Sequence, residues 1–358
     1  MTNLHEAYDV ALLDLDGVVY IGGTAIGGAA GALRDAKNAG LRLAYVTNNA
    51  SRTPAAVAAL LRGMDVPAEA GDVVTSAQAA ARLLADKLPA GARVLVIGAA
   101  ALRLAVRERG LVPVSTAADN PQAVVQGYGP GIDYSQLAEG GLAVRAGAMF
   151  VGTNADSTLP GPRGIQPGNG ALLRVIAHAT GAEPVIAGKP ETPLHAESVI
   201  RTRARSPLVV GDRLNTDIEA ACRAGCDSLL VLTGVSRPAD VVAAPEGQRP
   251  TYIADTLSGL LAPYPEISVS VGAAGAAGAA GAAGADGAVE AACGGWTAAA
   301  FVLDEGGTRA TSLALAGGGA PVDGLRALCA AAWSAPEPVS AERAEAALEA
   351  LYAAGLPR

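Results

Sequence analysis

Two aspartates stand at alternate positions in the run D-L-D-G-V at 14–18. On extended backbone, alternate side chains point to opposite faces. A turn beginning at Gly17 would free Asp16 to swing over a site shared with Asp14. One carboxylate can attack the phosphorus of a phosphate ester while the other gives a proton to the leaving alkoxide. That division of labour suits a two-step route through an aspartyl phosphate. The same run taken alone also reads as a strand ending in an Asx turn.

Three further groups carry chemistry of the same kind. T-N-N at 47–49 offers the Thr47 hydroxyl and adjacent backbone N–H groups, which can hold a phosphoryl oxygen without competing as nucleophiles. G-K-P at 188–190 offers Lys189, whose ammonium would neutralise both a carboxylate nucleophile and a phosphoryl group. G-D-R-L-N-T-D at 211–217 offers Asp212 and Asp217. Magnesium prefers a few carboxylates completed by water and substrate oxygens, and Asp212 suits direct ligation beside Asp14. Asp217 reads as a ligand, as a carboxylate supporting the ligands from outside, or as a charge favourable to a helix N-terminus. Each group alone has a plain reading as loop, cap or solvated surface charge.

All four groups follow a short apolar run, at 10–15, 41–46, 184–187 and 207–210. Helical patterns intervene at 28–39, at 53–64 with a Thr cap and Pro in the first turn, at 193–203 and at 216–224. This alternation predicts a Rossmann-like, doubly wound parallel sheet of the α/β class. Ligands of such sheets sit beyond the carboxyl ends of the strands, which places Asp14, Asp16 and Thr47 at one edge. The middle region has its own alternation, with strands expected at 93–97, 123–126 and 148–151 and helices at 102–109, 135–145 and 171–179. It reads as an inserted α/β domain. The first sheet is expected to resume at 184–187, 207–210 and 228–232.

Further on, GAAGAAGAAGAAGADG recurs through 272–287, with Gly at every third residue and nothing able to pack a core. A flexible linker is the expectation. A small α+β module follows, with a hairpin at 296–303 and 308–315 and helices at 322–333 and 341–354. That is thin material for an independent core, so it is expected to dock on the main body or on a second subunit. The division read along the chain is 1–78 and 181–264 for the core, 79–180 for the insert, 265–288 for the linker and 289–358 for the module.

The net charge of −8 and the lack of a basic run argue against nucleic acid as a partner. Four cysteines without a CxxC pair, and three histidines, argue against zinc and against a disulfide scaffold. No leader pattern or membrane span is read, so the expectation is a cytoplasmic protein whose partner is a small phosphorylated metabolite, with homo-oligomerisation possible through the insert or the module.

The four groups together, in the order Asp pair, Thr, Lys, Asp pair, resemble the haloacid dehalogenase superfamily of phosphohydrolases, in the branch of NagD-type and 4-nitrophenyl-phosphatase-like enzymes. The resemblance covers about residues 8–262. It implies Asp14 as phosphoryl acceptor, Asp16 as general acid/base, and Thr47 and Lys189, with Asn48 nearby, as holders of the phosphoryl group. It implies Mg2+ bound by the Asp14 carboxylate, the Asp16 backbone carbonyl and the Asp212 carboxylate, with Asp217 in support. The insert becomes a cap over the site. F-V-G-T-N-A-D at 150–156 and P-G-N-G at 167–170 resemble that branch's cap signature, with Ala155 where Pro is commoner. Asn154 and Asp156 are therefore expected to face substrate or hinge, or to be turn residues, with Asn169 capping the next helix.

The extra tail resembles the arrangement in actinobacterial members assigned as glycerol 3-phosphate phosphatases, whose C-terminal module looks like a fragment of an acetyltransferase fold. Gly317–Gly319 lacks the basic context of a pantetheine-phosphate loop, so acetyl transfer is not expected. Glycerol 3-phosphate is the expected substrate; phosphoglycolate, nucleoside monophosphates and pyridoxal phosphate are the alternatives. A reading from another class, a non-catalytic phosphometabolite sensor, has no need for both Asp14 and Asp16.

Overall fold

Six parallel strands carry three of the four groups. In the computed structural model, which describes residues 2–161, 163–271, 288–305 and 308–358, their order is Tyr252–Ala254, Asp227–Val231, Pro207–Gly211, Val10–Leu13, Arg42–Thr47, Val73–Thr75. The chain starts at the centre and builds outwards in both directions, so the winding reverses beside Val10–Leu13. A crevice opens at such a reversal. All four residues of Val10–Leu13 are buried, as a strand covered on both faces requires. One face packs Leu13 and Tyr45 against Leu33 and Leu61 of helices Ala29–Asn38 and Pro54–Arg62. The other packs Leu12 and Ala44 against Leu84 and Leu194 of helices Ser76–Lys87 and Thr192–Thr202. Thr53 caps Pro54–Arg62 by accepting a bond from Ala56 N at 3.2 Å.

The first strand stops earlier than its apolar run. Asp14 N still donates to Val210 O at 2.8 Å, but Leu15 O then accepts from Val19 N at 2.9 Å and Tyr20 N at 3.1 Å. The chain folds back at Leu15, which brings Asp16 and Gly17 over the sheet edge.

A second parallel sheet has the order Val185–Ile186, Met149–Gly152, Ala123–Gln126, Arg93–Ile97, Val112–Val114. Here one expectation is corrected. The run at 184–187 does not rejoin the first sheet; Val185 and Ile186 pair with Val151 and Gly152 at the edge of the second. The place beside Val10–Leu13 is already taken by Pro207–Gly211, and Val185 is 43% exposed, as an edge position allows. Helix Ser76–Lys87 runs through the position where the insert was expected to begin. A buried carboxylate, Glu197 of helix Thr192–Thr202, ties the two layers together: Arg109 Nη2 and Arg201 Nε both lie 2.5 Å from its Oε1, and Arg82 Nε lies 3.5 Å from Oε2.

The tail forms a four-stranded antiparallel sheet, Ser268–Val271, Val289–Cys293, Trp296–Glu305 and Thr308–Gly317, covered by helices Pro321–Ser334 and Ala341–Ala353. Ser268–Val271 belongs to the stretch expected as linker but pairs with Val289–Cys293. The Gly/Ala tract expected as a linker, 272–287, lies outside the described residues. The module docks on its own main body: Leu325, Leu328, Leu348 and Leu351 share one apolar cluster with Leu214, Ile218, Val241 and Ile253. Arg326 Nε donates to Ile253 O, on the edge strand of the first sheet, at 2.9 Å. All four cysteines are free thiols. Among the described residues no helix is long and apolar enough to cross a membrane.

Candidate active site

The reversal crevice gathers residues from four strand ends. Asp14 follows Val10–Leu13, Thr47 closes Arg42–Thr47, Asp212 follows Pro207–Gly211, and Lys189 arrives straight from the second sheet's edge strand. Lys189 Nζ lies 2.5 Å from Asp14 Oδ1 and 2.8 Å from Asp217 Oδ1. Lys189 is 7% exposed. Burial works against its charge, but Asp14 and Asp217 outweigh burial and hold its pKa above the usual value. Burial raises Asp14 well above the ordinary carboxylate range; Lys189 opposes this, while Asp217 and Asp212 add to it. Burial, then repulsion from Asp217, pushes Asp212 up to about 6.

Burial is the first cause of both carboxylate shifts, and crowding of negative charge adds to it. Asp14, Asp212 and Asp217 each offer one oxygen, and the three oxygens lie within 4.8 Å of one another. One ammonium faces three carboxylates. Asp212 Oδ2 accepts a bond from Val235 N at 2.7 Å, whereas its buried Oδ1 has no hydrogen-bond partner among the described residues. An all-oxygen donor set with an orphaned carboxylate oxygen fits a small hard dication. Asp217 sits in the π-helical turn Leu214–Ile218, and its Oδ2 takes Arg213 N at 3.2 Å. With Lys189 on one oxygen and a backbone N–H on the other, it is better satisfied than Asp212.

Two glycines make this approach possible. Gly17 has φ +83°, and a Cβ there would fall 2.3 Å from Asp212 Oδ2. A Cβ on Gly234 would fall 1.9 Å from the same atom. Gly234 was not singled out in the sequence. Its signal is the run T-G-V-S at 233–236, polar and small residues following another apolar strand, as the other groups do. Thr233 Oγ1 in that run donates to Gly17 O at 2.6 Å.

Asp16 stands apart from the three-carboxylate group and is exposed in the crevice. The walls around it raise its pKa above the ordinary value, against the pull of Arg52, Tyr20 and Lys189. Thr47 is buried, and its Oγ1 accepts Asn49 N at 3.1 Å while its proton stays available for donation.

Asn48, expected near the phosphoryl group, and Asn154, expected to face substrate or hinge or to be a turn residue, both bond protein backbone. Asn48 Oδ1 takes Lys189 N at 2.8 Å and its Nδ2 donates to Lys189 O at 3.2 Å, so this side chain clamps the backbone that presents the lysine. Asn154 Nδ2 donates to Asn48 O at 2.8 Å and Oδ1 accepts Asp156 N at 3.2 Å. Asn154 thereby pins the second sheet to the first. Asn169 does not cap its helix as expected; its Nδ2 donates to Asn154 O at 2.8 Å. Asp156 does face the crevice side: Asn48 Nδ2 reaches its Oδ2 at 3.4 Å. Burial raises its pKa, with Arg213 the main opposing charge.

Comparison with known proteins places this geometry. Residues 11–112 match the haloacid dehalogenase-like hydrolase family, residues 186–260 match a second model of HAD-like hydrolases, and residues 293–356 match a GCN5-related N-acetyltransferase-like domain. The chain is 46% identical over 280 residues to a D-glycerol 3-phosphate phosphatase of Mycobacterium tuberculosis, covering 76% of this chain and 78% of that protein. It is 39% identical to a 5'-nucleotidase of Bacillus subtilis, covering 71% and 97%. A crystal structure of a glycerol phosphate phosphatase from M. tuberculosis in complex with magnesium superposes with a TM-score of 0.80 at 40% identity, covering 98% of this chain and 99% of that one.

Proposed function

The chain belongs to the haloacid dehalogenase-like hydrolase family, and from that premise we propose that it is a Mg2+-dependent phosphatase converting glycerol 3-phosphate to glycerol and inorganic phosphate. It is a phosphomonoester hydrolase, as are the named relatives. The observation that carries the reading is Lys189 lodged between Asp14 and Asp217, with Asp212 Oδ1 left unpartnered beside them.

In this reading Asp14 attacks phosphorus, and Asp16 protonates the departing alkoxide. Asp16 then takes a proton from the water that hydrolyses the aspartyl phosphate. Its raised pKa suits a group that must hold and release a proton. Lys189 and the Thr47 hydroxyl hold the phosphoryl oxygens, and Asn48 keeps Lys189 in place. The Asp14 and Asp212 carboxylates and the Asp16 carbonyl would hold Mg2+, with Asp217 in support; the ion would supply the positive charge that lets a dianionic phosphoryl group approach a carboxylate. Asp156 offers an acceptor for a substrate hydroxyl.

Glycerol 3-phosphate is favoured by the likeness to the mycobacterial enzyme, which extends through the C-terminal module. A cytoplasmic location and self-association through the second sheet or the module belong to the same proposal. The test is phosphate release from glycerol 3-phosphate, phosphoglycolate, a nucleoside monophosphate and pyridoxal phosphate, with Mg2+ and after chelation. Glycerol 3-phosphate should give the highest kcat/KM, and chelation should abolish release. Another ester ahead of it overturns the substrate alone; tight ligand binding with no release from any ester points to a sensor.

A further inference from the structure

Asp212 owes its orientation to residues 233–236. Val235 N donates to its Oδ2 at 2.7 Å, and Ser236 N donates to its backbone oxygen at 3.1 Å. Thr233 Oγ1 ties the same loop to Gly17 O at 2.6 Å. Ser236 Oγ accepts Leu214 N at 3.0 Å, fixing the start of the turn that carries Asp217. This short loop therefore sets two of the three clustered carboxylates, and it leaves Asp212 Oδ1 as the oxygen free for a cation.

The loop runs directly into helix Pro238–Val242, of five residues. A helix this short does not persist in water without tertiary packing. Its first turn is capped locally, with Arg237 N donating to Asp240 Oδ2 at 3.0 Å. The rest of its support is non-local. Val241 and Val242 are buried in one cluster with Leu325, Leu328, Ala344, Leu348 and Leu351 of the C-terminal module. Trp333 Nε1 donates to Val241 O at 3.2 Å, adding a side-chain bond from the module to a carbonyl that also accepts Ala244 N at 3.1 Å. The backbone carbonyl of Trp333 in turn accepts Arg249 Nη1 at 3.1 Å, and the Arg249 guanidinium lies 5.9 Å from the centroid of the indole.

We infer that the C-terminal module braces the cation site: Trp333 and Leu348 are positioning residues for Asp212, acting through helix Pro238–Val242 and the loop 233–236. The inference rests on the reading of Asp212 as a Mg2+ ligand. It gives the module a part in catalysis that needs neither acetyl transfer nor a second subunit. Groups that orient metal ligands from behind have large effects on affinity because the ligand's donor atom must be held to a few tenths of an ångström.

The test uses the full-length protein with Trp333→Phe, Leu348→Ala and Leu348→Met. Amide hydrogen exchange at Val235 and Ser236 reads the loop, and calorimetric titration with Mg2+ alone, well below the unfolding temperature, reads the site. Leu348→Ala should speed exchange at both amides and weaken Mg2+ binding by roughly 10-fold. Trp333→Phe should move both readouts the same way by less. Leu348→Met, which refills most of the volume, should restore both. Should Leu348→Ala not fold, Trp333→Phe decides by the same readouts. Variants that lower the unfolding midpoint yet bind Mg2+ like the parent would overturn the brace. A parent that binds no Mg2+ would instead bring down the cation reading, and this inference with it.

Discussion

Lys189 Nζ lies 2.5 Å from Asp14 Oδ1, although 175 residues separate the two in sequence. Residues 93–186 of that interval build the second sheet and its helices. The chain leaves through the edge strand Val185–Ile186 and delivers Lys189 to the crevice three residues later. Asn48 grips both the N–H and the C=O of Lys189, so the ammonium is aimed from the backbone outwards. The ion pair is what allows a buried carboxylate to persist beside two others.

Removing the nucleophile should be far costlier than removing the proton donor. Asp14→Asn should lower kcat by at least about 10,000-fold. Asp16→Asn should lower it by roughly 100- to 10,000-fold while leaving Mg2+ binding intact, because its carboxylate stands outside the three-carboxylate group. Steady-state rates and Mg2+ titrations of both variants check the division; near-parental kcat in either one removes the assigned role.

Gly234→Ala should damage the site without touching a chemical group. The added methyl would sit 1.9 Å from Asp212 Oδ2, so the carboxylate or the loop has to move. Mg2+ affinity should fall by roughly 10-fold or more, measured by calorimetry against the parent, with a smaller change in the unfolding midpoint.

Cation binding should stabilise the fold by relieving repulsion among Asp14, Asp212 and Asp217. At about 100 times its dissociation constant, Mg2+ should add about 2.7 kcal/mol, seen as a rise of several degrees in thermal unfolding. Asp212→Asn should abolish most of that rise. An equal rise in the variant would show that the cation binds elsewhere.

Glu197→Ala should destabilise the protein by about 3 kcal/mol, since it leaves Arg109 and Arg201 at the junction of the two layers without their shared carboxylate. Denaturant unfolding checks this. Activity of the remaining folded fraction should change little, as the ion-pair partners of Glu197, Arg82, Arg109 and Arg201, are not groups assigned to the chemistry.

Asp14, Thr47, Lys189 and Asp212 were legible because each stands just after an apolar run, and strand ends on one side of a parallel sheet must meet. The sheet to which 184–187 belongs was not legible. A two-residue strand satisfies either sheet by pattern, and the pairing with Val151 and Gly152 is a tertiary event. The backbone bonds of Asn48 and Asn154 were not legible for a similar reason: their partners lie 141 and 106 residues away, and residue type does not say whether such a group will meet a ligand or a backbone. Ser268–Val271 reads as linker because it adjoins the Gly/Ala tract, although S-V-S-V alternates as a strand does; its pairing with Val289–Cys293 is a tertiary event. Gly234 was missed because a glycine needed for close approach looks, in sequence, like any loop glycine.

The central claim is that Asp14 becomes covalently phosphorylated during turnover. The direct measurement is acid quenching of the parent enzyme while it hydrolyses a radiolabelled phosphate ester with Mg2+, followed by peptide mapping. Hydroxylamine-labile label should appear on the peptide carrying Asp14, and should accumulate when Asp16→Asn is used. Label on another residue, or phosphate release at full rate with none on Asp14 in either protein, would contradict the account.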